Sequence, residues 1–447
     1  NRKGNHNMRK FLSLALALCL LLGLTSAFAE AAPTEITFWH SMGGVNGEAI
    51  AKMVEDFNVA YEGKIKVNVE FQGSYDDAIN KVKAAGMSAM PADVMQIYDI
   101  GSRFMIDSGW ALPMQQMIDA EGYDVSRIEP NIAAYYTIDG ILYSMPFNSS
   151  TPLLYYNKTA FAEAGLDPEV PPKNFDEIIE FADKLTVKDA EGKVTRYGFG
   201  MGNYGWFFEQ WQGKMAKHYV DNNNGRGADP ATKVVFDESG GAAAVFNVWK
   251  KLIDGGIITY LGRGNNDAKA AFISGNIAIT LESTAALKSL LTNVGDSFEI
   301  GTGFFPNINA DDQGGVSIGG GSLWMLATGD EARQNAAWEF VKYMISPDVQ
   351  AFWNAQTGYF PITVATHEVQ AFKDNLAQYP QFGTAIEQLH ATKPEFAGAL
   401  LSVFPEARAL VEQYTERLIN GELSVEDTVT NLAKDINSAI EIYNLTN

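Results

Sequence analysis

Several short stretches of this chain have the spacing of catalytic or cofactor motifs, and each lacks a part that the chemistry needs. Gly315-Val316-Ser317-Ile318-Gly319 matches G-x-S-x-G, the turn that exposes a serine nucleophile between a strand and a helix. A triple glycine and an apolar run follow Ser317 where the helix should be, so a flexible loop is the better reading. Gly200-Met201-Gly202-Asn203-Tyr204-Gly205 matches G-x-G-x-x-G, which brings a pyrophosphate to a helix N-terminus. Trp206-Phe207-Phe208 is a poor helix start, however, and no acidic residue follows on a second strand to hold a ribose. The sequence has no G-x-x-x-x-G-K-[ST] phosphate loop. His6, His40, His218, His367 and His390 form no H-x-x-H or H-E-x-x-H pair, and Cys19 is the only cysteine. Asp221 to Gly225 is polar without the spacing of a calcium loop. Paired carboxylates of a glycoside hydrolase would meet only in the fold. No metal, cofactor or catalytic residue is therefore expected, and the chain is read as a non-enzyme.

Aromatic side chains beside glycines remain: Tyr204-Gly205-Trp206, Ser322-Leu323-Trp324 and Gly358-Tyr359. Such rings suit stacking on a small ligand, with Tyr204 and Trp206 as candidates, although packing between lobes accounts for many of them.

The elements that must position these residues alternate strand and helix. Ile36 to Trp39 reads as a buried strand. Ile50, Met53, Val54 and Phe57 share one helix face. Ile65, Val67, Val69 and Phe71 alternate at period two, Ala78, Ile79, Val82 and Ala85 are helical again, and Val94 to Tyr98 is a third strand. A β-α-β-α-β series means a parallel, doubly wound sheet, and such sheets bind ligands beyond the carboxyl ends of their strands. His40-Ser41, Gly73-Ser74-Tyr75 and Asp99 stand at those ends. A second α/β region follows, with strands at Leu153–Asn157, Ile277–Leu281 and Ser322–Leu326 and helices at Ala242–Asp254 and Ala268–Ile273. Helices are expected over about 331–345, 347–356, 405–419 and 424–442, the last with Ser424 as N-cap and Asp427 at the capping-box position.

The chain has 447 residues, enough for two or three domains, and a net charge of −21. That charge opposes nucleic acid and anionic membranes as main partners. Met8 opens a signal-peptide pattern: basic Arg9 and Lys10, an apolar run Phe11–Leu24, and Ala27-Phe28-Ala29 before a cleavage site. Residues 1–7 read as upstream sequence. Cleavage would remove Arg2, Lys3, Arg9, Lys10 and Cys19 and take the net charge from −21 to −25. An acidic, thiol-free exported product fits a bacterial periplasm.

Several blocks resemble a known family: Phe38-Trp39-His40-Ser41-Met42, Pro146 to Lys158 with its Asn148-Ser149-Ser150-Thr151-Pro152 core, Ala164 to Pro168, Gly319 to Trp324, and Thr357 to Thr363. Together, from about Glu35 to the C-terminus, they resemble the extracellular solute-binding proteins of ABC importers, and most of all the branch that binds sn-glycerol-3-phosphate and glycerophosphodiesters. The resemblance implies an α/β, two-lobed periplasmic-binding-protein-like fold of type II, each lobe a mainly parallel sheet flanked by helices, with a helical C-terminal region. The implied division is 8–29 signal peptide, 30–147 plus 282–339 lobe 1, and 148–281 plus 340–447 lobe 2. It places ligand contacts on Tyr75, Asp99, Ser150, Ser283, Gly320, Tyr359 and Arg408. Tyr75 and Asp99 would come from the first lobe and Arg408 and Tyr359 from the second, with the lobe of Ser150 open. Ser283 would precede a helix starting near Ala285, whose N–H groups suit phosphate. Arg408, after Pro405 in the first turn of a helix, can fork onto phosphate oxygens, and Gly320 would let a backbone N–H approach closely. Two positions depart from the family pattern. Its acid is Glu where this chain has Asp99, and its tryptophan falls on Asn203, a space that Tyr204 or Trp206 could fill. The expected function is delivery of a phosphorylated glycerol or its diester, as a monomer, to a membrane permease. A sugar or oligosaccharide is the alternative solute, and a secreted phosphodiesterase or glycan hydrolase the alternative from another class.

Overall fold

Ile36, Phe38 and His40 alternate inward along β1 (Thr34–His40), and the apolar stripe Ala49, Ile50, Met53, Val54 and Phe57 is the buried face of α1 (Gly44–Ala60). β2 (Ile65–Phe71) follows, then α2 (Tyr75–Ala85). A capping box starts α2: the Asp77 N–H donates to Ser74 Oγ (3.1 Å) and the Ser74 N–H to Asp77 Oδ2 (2.8 Å). β3 (Val94–Tyr98) is buried at every position and runs into a 3₁₀ turn at Asp99–Gly101. These elements belong to a computed structural model that describes residues 32–86 and 92–446. The expected upstream residues and signal peptide lie outside the described residues.

The chain continues through β4 (Ala111–Leu112), α3 (Pro130–Tyr136), a ribbon of β5 (Thr137–Ile138) and β6 (Ile141–Leu142), and β7 (Met145–Ser150). Only Thr151 separates β7 from β8 (Pro152–Asn157), yet the two strands lie in different sheets. Then come β9 (Val187–Lys188), β10 (Val194–Phe199), α4 (Gly205–Lys214), α5 (Gly241–Asp254), β11 (Ile277–Ser283), α6 (Leu287–Val294), β12 (Ile300–Phe304) and β13 (Gly319–Leu326). The C-terminal third is helical: α7 (Glu331–Met344), α8 (Pro347–Thr357), α9 (Gln381–Ala391), α10 (Phe404–Ile419) and α11 (Val425–Thr446). The Asp427 N–H donates to Ser424 Oγ (3.0 Å), as the sequence predicts for the start of α11.

One sheet has the order β2-β1-β3-β13-β4, with β7 also on β13; the other has the order β12-β8-β11-β10-β9. The fold is the two-lobed α/β architecture expected. Both sheets are mixed, however. β1 is parallel to β2 and β3, and β10 to β11, while β13 runs antiparallel to β3 and β8 antiparallel to β11 and β12. β13 and β8 have each just crossed from the other sheet, so their direction is set by the crossing and not by a βαβ turn, whereas β9 is antiparallel to the next strand, β10, within one sheet. The segment 282–339, expected in one lobe, supplies β12 to the second sheet and β13 to the first. In the segment 340–447, expected in the other lobe, α8 packs on α1 beside the first sheet, whereas α10 and α11 pack on α5.

Two buried apolar clusters hold this arrangement. One gathers Ile36, Phe38, Phe57, Leu323 and Phe340; the other gathers Leu154, Phe199, Phe246, Ile279, Phe404 and Leu432. Truncating a fully buried ring such as Phe340 or Phe199 to alanine costs about 3–5 kcal/mol. Among the described residues no helix is long and apolar enough to cross a membrane.

Candidate ligand-binding site

A cavity of about 420 Å³ lies between the two sheets, and all nine residues singled out from the sequence line it: Tyr75, Asp99, Ser150, Tyr204, Trp206, Ser283, Gly320, Tyr359 and Arg408. From the first sheet, Tyr75 opens α2 and stacks on Tyr98 at 5.2 Å, and Asp99 follows β3. Ser150 ends β7 and so belongs to the first sheet, one residue before the crossing. Gly320 pairs with Ser149 across β13 and β7. Its φ is +93°, and a Cβ there would stand 1.8 Å from the Asn148 carbonyl oxygen, so only glycine fits. Tyr359 follows the left-handed Gly358 at the end of α8, stacks on Trp353 at 5.5 Å and reaches Met42. It therefore sits with the first sheet rather than the second, because α8 packs on α1. The hydroxyls of Tyr75 and Tyr359 and the Asn148 carboxamide form one hydrogen-bonded group, with 2.7 Å between Asn148 and Tyr75. His40 and Ser41 are not in the cavity wall. The His40 ring turns back to accept from the Met42 N–H, and burial lowers its pKa to about 4.

The opposite wall comes from the second sheet and the C-terminal helices. Ser283 ends β11, and its hydroxyl accepts from the Ala285 N–H at 3.1 Å, capping the turn that leads into α6. The next carboxylate, Glu282, is buried and takes the Ser283 N–H (2.7 Å) and the Asn265 amide (2.7 Å). The free N–H groups expected to await phosphate here are thus partly used within the protein.

Gly205-Trp206-Phe207-Phe208 does begin a helix, contrary to the sequence reading. The cap is supplied from α10 and not locally: the Gly205 N–H donates to Glu412 Oε1 at 3.0 Å. The glycines of the G-x-G-x-x-G stretch serve close packing. A Cβ on Gly202 would stand 1.9 Å from the Gly264 oxygen, and one on Gly205 would stand 2.8 Å from the Arg408 oxygen. That contact of α4 on α10 sets Glu209, one turn beyond Gly205, beside Arg408. Tyr204 and Trp206 face the cavity, and among the described residues the buried Trp206 indole N–H has no hydrogen-bond partner. Asn203 turns away and donates to the Glu412 carbonyl at 2.7 Å. Ser317 leads into β13 with no helix after it, and its hydroxyl accepts from Gln210 at 2.9 Å.

Arg408, in the first turns of α10, forks as expected, but onto carboxylates of this protein. Its Nε donates to Glu209 Oε2 at 3.2 Å, and its Nη2 donates to Glu209 Oε1 and, at 2.9 Å, to Asp99 Oδ2. The three side chains are 14%, 8% and 5% exposed, Arg408, Glu209 and Asp99 in that order. Because Asp99 hangs from the first sheet and Arg408 from α10, the pair spans the cleft. Burial pulls the guanidinium pKa down, but the two carboxylates outweigh it and keep Arg408 charged. Burial pushes Asp99 upward against the pull of Arg408, and pushes Glu209 up to about 7. Arg408 is the one cationic side chain among the described lining residues, against the carboxylates of Asp76, Asp99, Glu282 and Glu412. Burial also raises Glu282 and Glu412. Among the described residues no group of His, Cys, Asp and Glu has the arrangement of a metal site.

The sequence reading found Asp99 but missed Glu209, Asp76, Glu282 and Glu412. One signal was available: Glu209 is the lone charge in Trp206-Phe207-Phe208-Glu209-Gln210-Trp211, where an acid needs a buried partner.

The profile of the bacterial extracellular solute-binding protein family matches residues 52–384. The sn-glycerol-3-phosphate-binding periplasmic protein UgpB of Yersinia pseudotuberculosis is 31% identical over 432 residues, covering 94% of this chain and 95% of that protein. The UgpB of Pectobacterium atrosepticum is 30% identical over 458 residues, covering 98% of each chain. Among solved structures, Mycobacterium tuberculosis UgpB in complex with glycerophosphocholine superposes with a TM-score of 0.76 at 22% identity, covering 93% of this chain and 100% of that one. The cyclic alpha-maltosyl-1,6-maltose binding protein of Arthrobacter globiformis superposes with a TM-score of 0.72, also at 22% identity, covering 92% and 99%.

Proposed function

The chain belongs to the bacterial extracellular solute-binding protein family, and on that premise we propose that it is the periplasmic carrier of an ABC importer for glycerophosphodiesters, above all those with a cationic head group. The carrying observation is the lining of the interlobe cavity: one buried arginine, hydroxyls on facing walls, aromatic faces, and carboxylates in excess. A phosphodiester carries a single negative charge for Arg408 to meet. Its head-group cation would answer the surplus carboxylates and the Tyr75–Tyr98 and Tyr204–Trp206 rings. Glycerol-3-phosphate, more anionic and without a cation, fits the same residues less well. Tyr75, Asp99, Ser150 and Tyr359 would hold the ligand from the first-sheet lobe with Gly320, and Arg408, Ser283, Tyr204 and Trp206 from the other.

In this reading the first lobe consists of the β2-β1-β3-β13-β4 sheet with α1, α7 and α8, and the second of the β12-β8-β11-β10-β9 sheet with α4, α5, α10 and α11. Ligand bridging the two lobes shifts the population toward the closed form that a permease recognises. Export through the cleavable leader at 8–29 and a monomeric state belong to the same proposal. The named relatives are binding proteins, which supports a carrier over an enzyme. A neutral oligosaccharide is the second reading. It is favoured by one observation: Arg408 is already neutralised by its own carboxylates.

Calorimetry with glycerophosphocholine, glycerol-3-phosphate and maltotriose tests the proposal, followed by a check of the ligand for turnover. The expected order is glycerophosphocholine, then glycerol-3-phosphate, with no maltotriose binding and no product. Binding of maltotriose alone would move the chain to the sugar carriers, and hydrolysis of the diester would make it an enzyme.

A further inference from the structure

We infer that Glu209 is the specificity-determining residue of the cleft: its carboxylate occupies the edge of Arg408 that a phosphate must take, so an anionic ligand enters by exchange with Glu209, which accepts a proton as it is displaced. The inference rests on the phosphate-ester reading above.

The geometry carries it. Glu209 spans Nε and Nη2 of Arg408, the side-by-side donors that suit two oxygens of one anion. Among the described residues Nη1 has no hydrogen-bond partner, so an arriving phosphate meets one free donor until Glu209 yields. Of the two carboxylates, Glu209 is the one free to leave. Asp99 is also held by backbone N–H groups at its turn, whereas among the described residues Glu209 has no hydrogen-bond partner other than Arg408. There is also room for it. Behind Glu209 lies a second cavity of about 360 Å³, lined in part by Gln212, Lys217, His218 and Tyr219.

The charges require compensation. With both carboxylates ionised the Arg408 cluster carries one net negative charge before any ligand arrives, and the phosphodiester group would add another at Arg408 itself, where the head-group cation, matched to the other carboxylates and the rings, does not offset it. The groups facing Glu209 are Arg408, Asp99 and the phenols of Tyr135, Tyr204 and Tyr219, with Lys217, His218 and Glu395 on the lining of the second cavity. Burial keeps the phenols neutral. A proton from solvent onto Glu209 is therefore the small-cost route, since that carboxyl already titrates near neutrality. A neutral sugar would displace nothing and take up nothing.

Glycerophosphocholine is the probe, because its phosphodiester keeps one charge throughout the assay range. Titration calorimetry in buffers of different ionisation enthalpy should count proton uptake approaching about one per ligand at about pH 8 and near zero at about pH 6, with affinity falling up to about tenfold per pH unit above neutrality. Glu209→Gln should bind about tenfold tighter or more at about pH 8, with no proton uptake and a flat pH profile. The proton count on the unmodified protein stands even if that variant folds poorly. Glycerophosphocholine bound at about pH 8 without proton uptake would overturn the inference and leave the carrier reading intact. If no phosphate ester binds at either pH, the carrier reading fails and the inference fails with it.

Discussion

Two ion clusters tie distant parts of the chain together, and their charge ratios are opposite. In the cleft one arginine, Arg408, faces two carboxylates, Asp99 and Glu209. Away from the ligand cavity one carboxylate, Glu129, faces two imidazoles: His367 at 3.0 Å and His390 at 3.3 Å. The first cluster is buried throughout. In the second, Glu129 is buried, but His390 is 52% exposed and reaches solvent. Burial pushes Glu129 up, yet the imidazoles outweigh it and hold the carboxyl below its ordinary range. In the cleft burial wins and Glu209 rises. A buried cluster with surplus like charge is poised to exchange a member for a ligand. One whose lone carboxylate is doubly partnered and wetted is a finished structural tie.

The comparison breaks most readily at Arg408. Arg408→Ala should cost about 2–5 kcal/mol of affinity for glycerophosphocholine, because it removes the cation and leaves two buried carboxylates unpaired. Calorimetry on Glu129→Gln should show unchanged affinity. Equal losses in the two variants would erase the distinction.

Gly320→Ala tests the backbone that shapes the cleft. The left-handed φ alone costs about 1–3 kcal/mol, and the contact with the Asn148 carbonyl adds to it. A lower melting temperature together with weaker binding is expected, and an unchanged protein would mean that the crossing strands adjust freely.

Stability against pH should slope in opposite directions for the two clusters. Between its ordinary value of 4.5 and about 7, Glu209 holds a proton in the folded chain that the unfolded chain releases. Its contribution to stability therefore falls as pH rises through that window, by at most about 3 kcal/mol. Glu129 behaves the other way. Its stabilisation is fully present above the ordinary glutamate value and is lost as pH falls through the lowered one. Melting curves of Glu209→Gln and Glu129→Gln across pH should each flatten one slope and leave the other. The smallest effect belongs to His390→Ala, which should change stability by no more than about 1 kcal/mol, as for exposed ion pairs.

The same contrast marks what was legible in the sequence. The period-two run placed β2, the 3.6-residue stripe placed α1, and short apolar runs placed β1 and β3, the latter buried at every position. The strand-end rule, the family resemblance and the aromatics beside glycines brought nine residues to one cavity, while His40 and Ser41, also at a strand end, lie outside its wall. The start of α4 was not legible, because Glu412, more than two hundred residues away, supplies its cap. The mixed direction of the sheets was hidden too, since one residue, Thr151, carries the chain from β7 in one sheet to β8 in the other. Nothing in the sequence marks Glu282, Glu412 and Asp76; only the fold turns them to the ligand cavity. The fork of Arg408 was legible, but its occupation by Glu209 and Asp99 was not.

The central claim is that a phosphodiester takes Arg408 inside the interlobe cavity. A crystal structure of the complex with glycerophosphocholine tests it most directly. The expected result has a phosphate oxygen about 3 Å from the Arg408 guanidinium, Glu209 turned toward the second cavity, and the quaternary ammonium against carboxylate and aromatic side chains. A ligand lying elsewhere, with Arg408 still forked onto Glu209 and Asp99, would contradict it.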